Sequence, residues 1–209
     1  MSYLIINADD FGYSYSVNRG ILEAHQNGIV TSTSVMINTI AAKEAAGLSS
    51  YPNLSVGLHL MLDDSADAAD ALLKQIEKFK QITGKAPDHI DVHKILHRSK
   101  ALDDVLRAYS AKNNTPVRQL GFAKFIYSYY GPDAGGDVSV AQFKLAIDQA
   151  TDEYNEIMCH VGYCDDYLRE HSSYSEAREQ ELKTLCNPTL KDYIAQKDLQ
   201  LINWRAVKA

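Results

Sequence analysis

Short apolar segments alternate with amphipathic helical segments along the chain, and this alternation constrains the fold more than any other feature. The apolar runs at 4–6, 54–60 and 90–93 are typical of buried strands, and helical periodicity follows at 16–27 and 68–83. Strands separated by helices pair in parallel and are covered by those helices. About seven such units occupy 209 residues, which predicts one α/β domain over 1–209.

Two architectures satisfy this pattern, a barrel and an open doubly wound sheet. No G-x-G-x-x-G follows the first strand, which disfavours a dinucleotide-binding sheet. A complete eight-stranded barrel usually needs about 250 residues, which is more than this chain offers. We therefore predict an α/β fold, a distorted TIM-like barrel of about seven parallel strands.

The charge balance argues against two classes of partner. Lys and Arg number 21 against 27 Asp and Glu, a net charge of −6, so neither nucleic acid nor an anionic membrane is expected as a partner.

The apolar run at 4–6 is too short for a signal or spanning segment. Cys159, Cys164 and Cys186 fit neither a disulfide framework nor a CxxC zinc site. These features predict a cytoplasmic protein with reduced thiols.

Polar side chains follow most of the predicted strands at the point where each strand ends. The carboxyl ends of parallel strands meet at one mouth of a barrel, so these side chains are expected to converge there. The residues concerned are Asp9, Asp10, His59, His93, Arg118 and His160. The two-residue period of a strand puts Asp91 and His93 on one face, and Gly57 beside His59, where the glycine would leave room for the imidazole.

This inventory contains the parts of a metal-assisted hydrolase. One carboxylate and two neutral imidazoles can bind a divalent metal and leave positions open for water and a substrate oxygen. A second carboxylate can take a proton from the attacking water, and a third histidine can protonate the leaving group. An arginine can orient the base carboxylate and lower its pKa.

Five motifs follow one another in order along the chain. They are N-A-D-D-F-G at 7–12, G-I-V-T-S-T-S at 28–34, V-G-L-H at 56–59, H-I-D-x-H at 89–93 and E-I-M-C-H at 156–160. Together they resemble the YdjC-like carbohydrate deacetylases, which include the chito-oligosaccharide deacetylases. The resemblance extends from residue 3 to about 205 and includes the region 175–191, which looks like the C-terminal helix region of that family.

The resemblance implies a barrel of the polysaccharide-deacetylase type. It implies hydrolysis of an N-acetyl group from a short N-acetylglucosamine-containing sugar such as diacetylchitobiose, with a divalent metal usually given as magnesium, and it suggests a homodimer. Carried over by position, His59 and His93 match the metal-binding histidines, Asp10 the carboxylate ligand and Asp9 the general base. His160 lies where a leaving-group acid is expected.

The remaining site expectations concern the substrate, the base and the metal. Arg118 is expected to orient Asp9. Contacts to the sugar are expected from Asn7, Asn38, Asp91 and Tyr163. Two imidazole ligands favour zinc or another transition ion over magnesium, so the identity of the metal stays open.

The chain also departs from the family pattern. Ile95 replaces the middle histidine of a small-His-x-His-x-His segment, and the segment 60–88 is short. Two other functions therefore stay open, a barrel metallohydrolase of the phosphoesterase type and a catalytically impaired sugar-binding or regulatory member of the same family. Acetate release would separate the deacetylase from the first, and metal analysis followed by the same assay would separate it from the second.

Overall fold

A computed structural model describes residues 2–62, 67–94, 99–129 and 136–207. The strands are β1 (Ser2–Phe11), β2 (Ser32–Val35), β3 (Ser55–Leu60), β4 (Ile90–Val92), β5 (Lys124–Ile126), β6 (Tyr154–Cys159) and β7 (Leu199–Leu201). The α-helices are α1 (Tyr15–Asn27), α2 (Ala68–Thr83), α3 (Lys100–Asn113), α4 (Val140–Ile147), α5 (Asp166–His171), α6 (Glu176–Leu185) and α7 (Thr189–Gln196). The segments Ala42–Ser50 and Trp204–Ala206 are 3₁₀ helices.

All the strand pairs are parallel in the described ranges, and together they form one curled sheet. The order is β4-β3-β2-β1-β6-β5, and β7 pairs with the first residues of β1. An isolated bridge from Ile90 to Val117 extends the pairing beyond β4. The sheet is a half-barrel of parallel strands, which confirms the predicted distorted TIM-like barrel of about seven parallel strands.

The two faces of the sheet differ sharply in chemistry. On the outer face, Leu4, Ile6 and Leu58 pack with the helices in the main apolar core. On the inner face, Ile5 packs with Trp204 in a separate small cluster. Most of the other inner positions are polar or small and lie near the carboxyl ends of the strands. They include Asn7, Asp9, Ser34, Gly57, His59, Asp91 and Glu156, all within described strands.

A bulge near the end of β1 brings two consecutive aspartates to the same site. Strand alternation alone would send Asp9 and Asp10 to opposite faces. The β1–β2 register shifts between Ala8 and Phe11, and Asp10 has a φ of 71°. Such a left-handed residue in a bulge re-aims its side chain, so both carboxylates reach the mouth of the barrel.

Several predicted elements have different bounds in the structure. The helical pattern over 140–154 predicts one helix, but α4 ends at Ile147. Asn155 binds the backbone of Asp152 and the carbonyl of Tyr3, which favours a turn before β6. The sequence at 116–118 predicts a short strand, but in the described residues this segment makes a single bridge at Val117. The helix α5 was not predicted, because six residues are too few to show a period.

Among the helices in the described ranges, none has both the length and the apolar character needed to cross a membrane.

Candidate metal centre

Three side chains, from β1, from β3 and from the residue that follows β4, converge at the mouth of the half-barrel. His59 Nε2 lies 3.2 Å from Asp10 Oδ1 and 3.1 Å from His93 Nδ1. His93 Nδ1 lies 3.4 Å from Asp10 Oδ1. Asp10 and His59 are buried, whereas the His93 side chain is 25% exposed. The group therefore forms a nearly equilateral triangle of ligand atoms that opens to solvent beside His93.

The triangle fits a divalent cation. Ligands bound about 2.0–2.2 Å from an ion lie about 3–3.5 Å apart, which is the spacing found here. Asp10 Oδ1 is sealed from solvent, and no hydrogen bond of good geometry reaches it from the described residues. A buried carboxylate oxygen without such a partner is costly, and a cation would satisfy it.

His59 is oriented by a second carboxylate on the neighbouring strand. Its Nδ1 lies 2.5 Å from Asp91 Oδ1, which leaves Nε2 aimed at the triangle. A carboxylate behind a metal-binding histidine fixes the ring and raises its basicity. Burial alone would lower the pKa of His59, but the charges of Asp91 and Asp9 raise it to about 10.

Asp10 is held from the opposite side by an arginine on α6. Arg178 Nη2 donates to Asp10 Oδ2 at 2.6 Å, and both side chains are buried. Burial alone would raise the pKa of Asp10, but the guanidinium of Arg178, together with His59 and His93, holds it well below its usual value. Asp10 is therefore anionic at neutral pH.

A second arginine organises the remaining carboxylates. Arg118 donates from Nη1 and Nη2 to the two oxygens of Asp9, at 2.7 and 2.8 Å, and from Nε to Glu156 at 3.0 Å. Its Nη2 also lies 3.0 Å from Asp91 Oδ2. Two parallel N–H···O bonds fix the plane of a carboxylate, so Arg118 makes the contact expected of a residue that orients Asp9.

A second group of possible ligands, Asp9, His59 and Asp91, also lies close together. The guanidinium of Arg118 already bridges both of these aspartates. A metal ion among these three residues would face that positive charge directly. The chemistry of the donor set therefore favours the triangle of Asp10, His59 and His93.

His160 follows β6 near the metal triangle, and it is partly exposed. Its charge contributes to the low pKa of Asp10, and its ring makes an edge contact with Tyr174, with centroids 5.6 Å apart. Its backbone N–H donates to the buried Glu181 at 2.7 Å. Glu181 also accepts a hydrogen bond from the hydroxyl of Tyr174, so α6 fixes the segment that carries His160.

Two of the residues expected to contact substrate, Asn7 and Asp91, are buried and already hydrogen-bonded to other side chains of the site. Asn7 is fully buried and donates to Asp9 Oδ1 at 2.7 Å. Asp91 is fully buried and holds His59. Both are enclosed and support the site from behind, and their direct contact with a sugar stays a prediction.

The other two expected contacts lie at the periphery. Tyr163 donates its hydroxyl to Glu23, and Arg19 packs over its ring at 4.5 Å, which places it against α1. Asn38 is exposed, and its carbonyl oxygen accepts a hydrogen bond from Lys78 at 2.9 Å. Of the four, Asn38 is exposed and Tyr163 is partly exposed, whereas Asn7 and Asp91 are buried.

The role expected for Gly57 is wrong in one respect. A Cβ at this position would overlap the ring of His89 rather than crowd His59. His89 is fully buried and stacks on Trp204, with centroids 5.1 Å apart. The small residue therefore makes room for a histidine inside the half-barrel.

Sequence reasoning missed Arg178, Glu181 and the internal position of His89. Helical spacing puts Arg178 and Glu181 on one face of α6, since they are three residues apart. Their partners include Asp10 on β1 and the backbone of His160 after β6, which the spacing along α6 does not indicate. Ile95, and His97 at the end of the same small-His-x-His-x-His segment, lie outside the described residues, as does part of the short segment 60–88.

The fold and this site define a class, an α/β half-barrel with a candidate Asp/His/His metal centre at the carboxyl ends of its strands. The family model described as YdjC-like protein matches residues 3–74 and 64–196. The chain belongs to this family. The two matches overlap at 64–74, within the segment 60–88 that is short in this sequence.

Curated relatives match over nearly their whole length. A carbohydrate deacetylase of Geobacillus stearothermophilus is 35% identical, with 97% of each chain covered. A chitooligosaccharide deacetylase of Yersinia pestis is 31% identical, with 95% of this chain and 96% of the relative covered. The first alignment runs over 238 residues, more than the 209 of this chain, so the relative has residues without a counterpart here.

Solved structures agree with the fold. A protein of Enterococcus faecalis named for cellobiose-phosphate cleavage superposes with a TM-score of 0.86 at 26% identity, covering 100% of this chain and 99% of its own. A family 4 carbohydrate esterase of Streptomyces lividans, solved with acetate, has a TM-score of 0.61 at 14% identity and coverage of 100% and 96%. The barrel is therefore of the polysaccharide-deacetylase type.

Proposed function

We propose that this protein is a metal-dependent carbohydrate deacetylase that removes an N-acetyl group from a short N-acetylglucosamine-containing sugar such as diacetylchitobiose. The observation that carries the proposal is the triangle of Asp10 Oδ1, His59 Nε2 and His93 Nδ1, with sides of 3.1–3.4 Å, next to the Asp9–Arg118 pair. Relatives that align along nearly the whole chain are named carbohydrate and chitooligosaccharide deacetylases.

Asp10, His59 and His93 are the residues that would hold the metal. A divalent cation supplies Lewis acidity, which polarises an acetamide carbonyl and stabilises the negative charge that develops on its oxygen. Magnesium is the ion implied by the family resemblance, whereas two imidazole ligands favour zinc or another transition ion.

The chain's own residues then move the protons. Asp9 Oδ2 receives one hydrogen bond, from Arg118, among the described residues, so it keeps a lone pair that can accept a proton from the attacking water. The water oxygen first adds to the carbonyl carbon of the acetyl group, and the C–N bond breaks afterwards. His160 donates a proton to the departing amine nitrogen, and acetate and the free amino sugar leave.

The proposal also covers the partners of the protein and its location in the cell. The substrate is a small sugar, and the protein acts in the cytoplasm as a homodimer. Cell fractionation would check the location, and light scattering of the purified protein would check the dimer.

Acetate release tests the activity directly. The purified protein, stripped with a chelator, is assayed on diacetylchitobiose with Mg²⁺, Zn²⁺ or Co²⁺ added singly. We expect acetate to appear only with metal, and Asp9→Asn to lower the rate by about 10²-fold or more, since a general base contributes about 10²–10⁴-fold. Asp104→Asn is the matched control, because Asp104 is exposed and pairs only with Lys100 among the described residues.

Two outcomes would contradict the proposal. Full activity in Asp9→Asn would remove the assigned base. Absence of acetate from a panel of N-acetyl sugars with each metal would contradict deacetylation, and phosphate release from phosphorylated sugars would instead support the phosphoesterase alternative. Metal binding without turnover of any of these substrates would support a sugar-binding or regulatory role.

A further inference from the structure

Arg178 is the least expected member of the site. It lies on α6, 168 residues from Asp10 in sequence, yet its Nη2 is 2.6 Å from Asp10 Oδ2. Its side chain is 3% exposed and that of Asp10 is 2% exposed. The pair is therefore a buried ion pair directly behind the candidate metal ligand.

Arg178 is fixed on several sides. Its Nε donates to the carbonyl oxygen of Tyr174 at 2.9 Å. The rings of Tyr13 and Tyr174 each lie 5.7 Å from its guanidinium carbon, a distance typical of cation–π contacts. Its Nη1 is sealed from solvent. A guanidinium enclosed in this way has no surface for a substrate, so any effect on the chemistry passes through Asp10.

The contact selects which oxygen of Asp10 faces the histidines. Asp10 lies in the bulge of β1 with a φ of 71°, and its carboxylate could present either or both oxygens to an ion. Arg178 occupies Oδ2, which leaves Oδ1 to face His59 Nε2 at 3.2 Å and His93 Nδ1 at 3.4 Å.

We propose that Arg178 is a positioning residue that makes Asp10 a one-oxygen metal ligand and thereby sets the affinity of the site for its cation. This inference rests on the proposed metal-dependent function. Arg118 instead binds both oxygens of Asp9, so each of the two aspartates of the N-A-D-D-F-G motif has its own buried arginine, but only Asp10 keeps one oxygen free of its arginine.

The direction in which metal affinity changes when Arg178 is replaced distinguishes a positioning role from a purely electrostatic one. A buried guanidinium next to a metal ligand repels a cation, so removing its charge alone would strengthen metal binding. Removing the contact that aims Oδ1 would weaken metal binding instead. Loss of a residue that orients a metal ligand typically costs 10–100-fold in affinity.

The test measures Co²⁺ affinity by calorimetry and by the visible absorption of bound Co²⁺. The variants are Arg178→Gln and Arg178→Lys, with Lys183→Gln as the control, because Lys183 is exposed on the same helix. We expect Kd to rise about 10–100-fold in Arg178→Gln, to rise less in Arg178→Lys, and to stay unchanged in Lys183→Gln. Thermal unfolding of the metal-free proteins shows that each variant is folded.

A double-variant cycle completes the test. In an Asp10→Asn background, Arg178→Gln is expected to cause no further loss of Co²⁺ affinity, because the arginine acts through the carboxylate. Unchanged or tighter binding in folded Arg178→Gln, or an undiminished loss in the Asp10→Asn background, would overturn the inference. If Arg178→Gln does not fold, an unchanged Kd in Arg178→Lys overturns it.

The same data distinguish failure of the inference from failure of the proposed function. If the parent protein shows no Co²⁺ site that Asp10→Asn weakens, the metal-dependent function fails and the inference fails with it. If the parent binds Co²⁺ through Asp10 and the Arg178 variants match it, the inference alone is wrong.

Discussion

His59 carries a proton on both ring nitrogens near neutral pH when no cation is bound. Burial would lower its pKa, but the charges of Asp91 and Asp9 raise it to about 10. A histidine that binds a metal must be neutral at the binding nitrogen. Metal binding near neutral pH therefore has to displace the Nε2 proton, while the Nδ1 proton stays with Asp91.

This competition predicts a pH-dependent affinity. Calorimetric titration with Zn²⁺ at pH 7.5, in buffers of different ionisation enthalpy, is expected to show about one proton released per ion bound. The affinity is expected to rise with pH through the range between about 6.5 and about 10, where the proton becomes easier to remove. Binding without proton release would contradict the assignment of His59 as a ligand.

The individual site residues also show how much of the candidate site can be predicted from the sequence. The strand-end positions and motifs predict six site residues. The structure brings Asp9, Asp10, His59, His93 and Arg118 within 4 Å of one another in a chain of contacts, and His160 close enough for its charge to act on Asp10. The motifs do not indicate burial. They therefore suggest Asn7 and Asp91 as substrate contacts, although both side chains are enclosed in the structure. Arg178 could not be found, because its partner is fixed only by the folded chain.

Among the elements, the packing of β3 beside β4 depends on the lack of a side chain at Gly57. Gly57 on β3 leaves space that the ring of His89 fills just before β4, and a Cβ there would overlap that ring. The ring is backed by Trp204 at 5.1 Å, so it has little freedom to move. This packing sets the spacing of the two strands that carry His59 and His93.

Gly57→Ala is therefore expected to destabilise the protein. Overpacking of a filled interior typically costs about 1–3 kcal/mol, and we expect a loss of that size in the free energy of unfolding measured with urea. Gly47→Ala is the control, because a Cβ there meets nothing within 4 Å. Adding His89→Ala to Gly57→Ala should cost less than the sum of the single changes, since the clash is removed. An additive pair, or an unaffected Gly57→Ala, would contradict this packing.

Element boundaries show where periodicity stops being informative. The helix α2 was predicted with its observed bounds, because an apolar stripe ends at Gly84, which adopts a φ of 76°. Over 140–154 the periodicity is misleading, because α4 ends at Ile147 and the hydrogen bonds of Asn155 to Asp152 and Tyr3 favour a turn before β6. Side-chain bonds to the backbone are set by the neighbouring strand and leave little trace in the hydrophobic pattern.

At the scale of the whole molecule, the buried charges make stability depend on pH. Burial alone would raise the pKa of Asp10 and of Asp91, but the arginines and histidines beside them hold both pKa values well below the usual value. A carboxylate with a lowered pKa stabilises the folded state above its unfolded pKa, and this contribution is lost as the pH falls. His59, with a raised pKa, has the opposite dependence.

The metal-free protein is therefore expected to have a limited range of maximal stability. The urea midpoint, measured with a chelator between pH 3 and pH 10, should fall below about pH 4 as Asp10 and Asp91 lose their ionic contribution. It should also fall gradually from about pH 6.5 toward pH 10 as His59 loses its proton. A midpoint that stays level from pH 6.5 to pH 10 would contradict the raised pKa of His59.

The arrangement of the whole molecule rests on one claim, that three strands bring Asp10, His59 and His93 around a single cation. Anomalous scattering from crystals grown with Zn²⁺ tests this claim most directly. We predict one strong peak about 2.0–2.2 Å from Asp10 Oδ1, His59 Nε2 and His93 Nδ1. A peak bound instead by Asp9 and Asp91, or no peak near His59 in crystals that contain the ion elsewhere, would contradict the account.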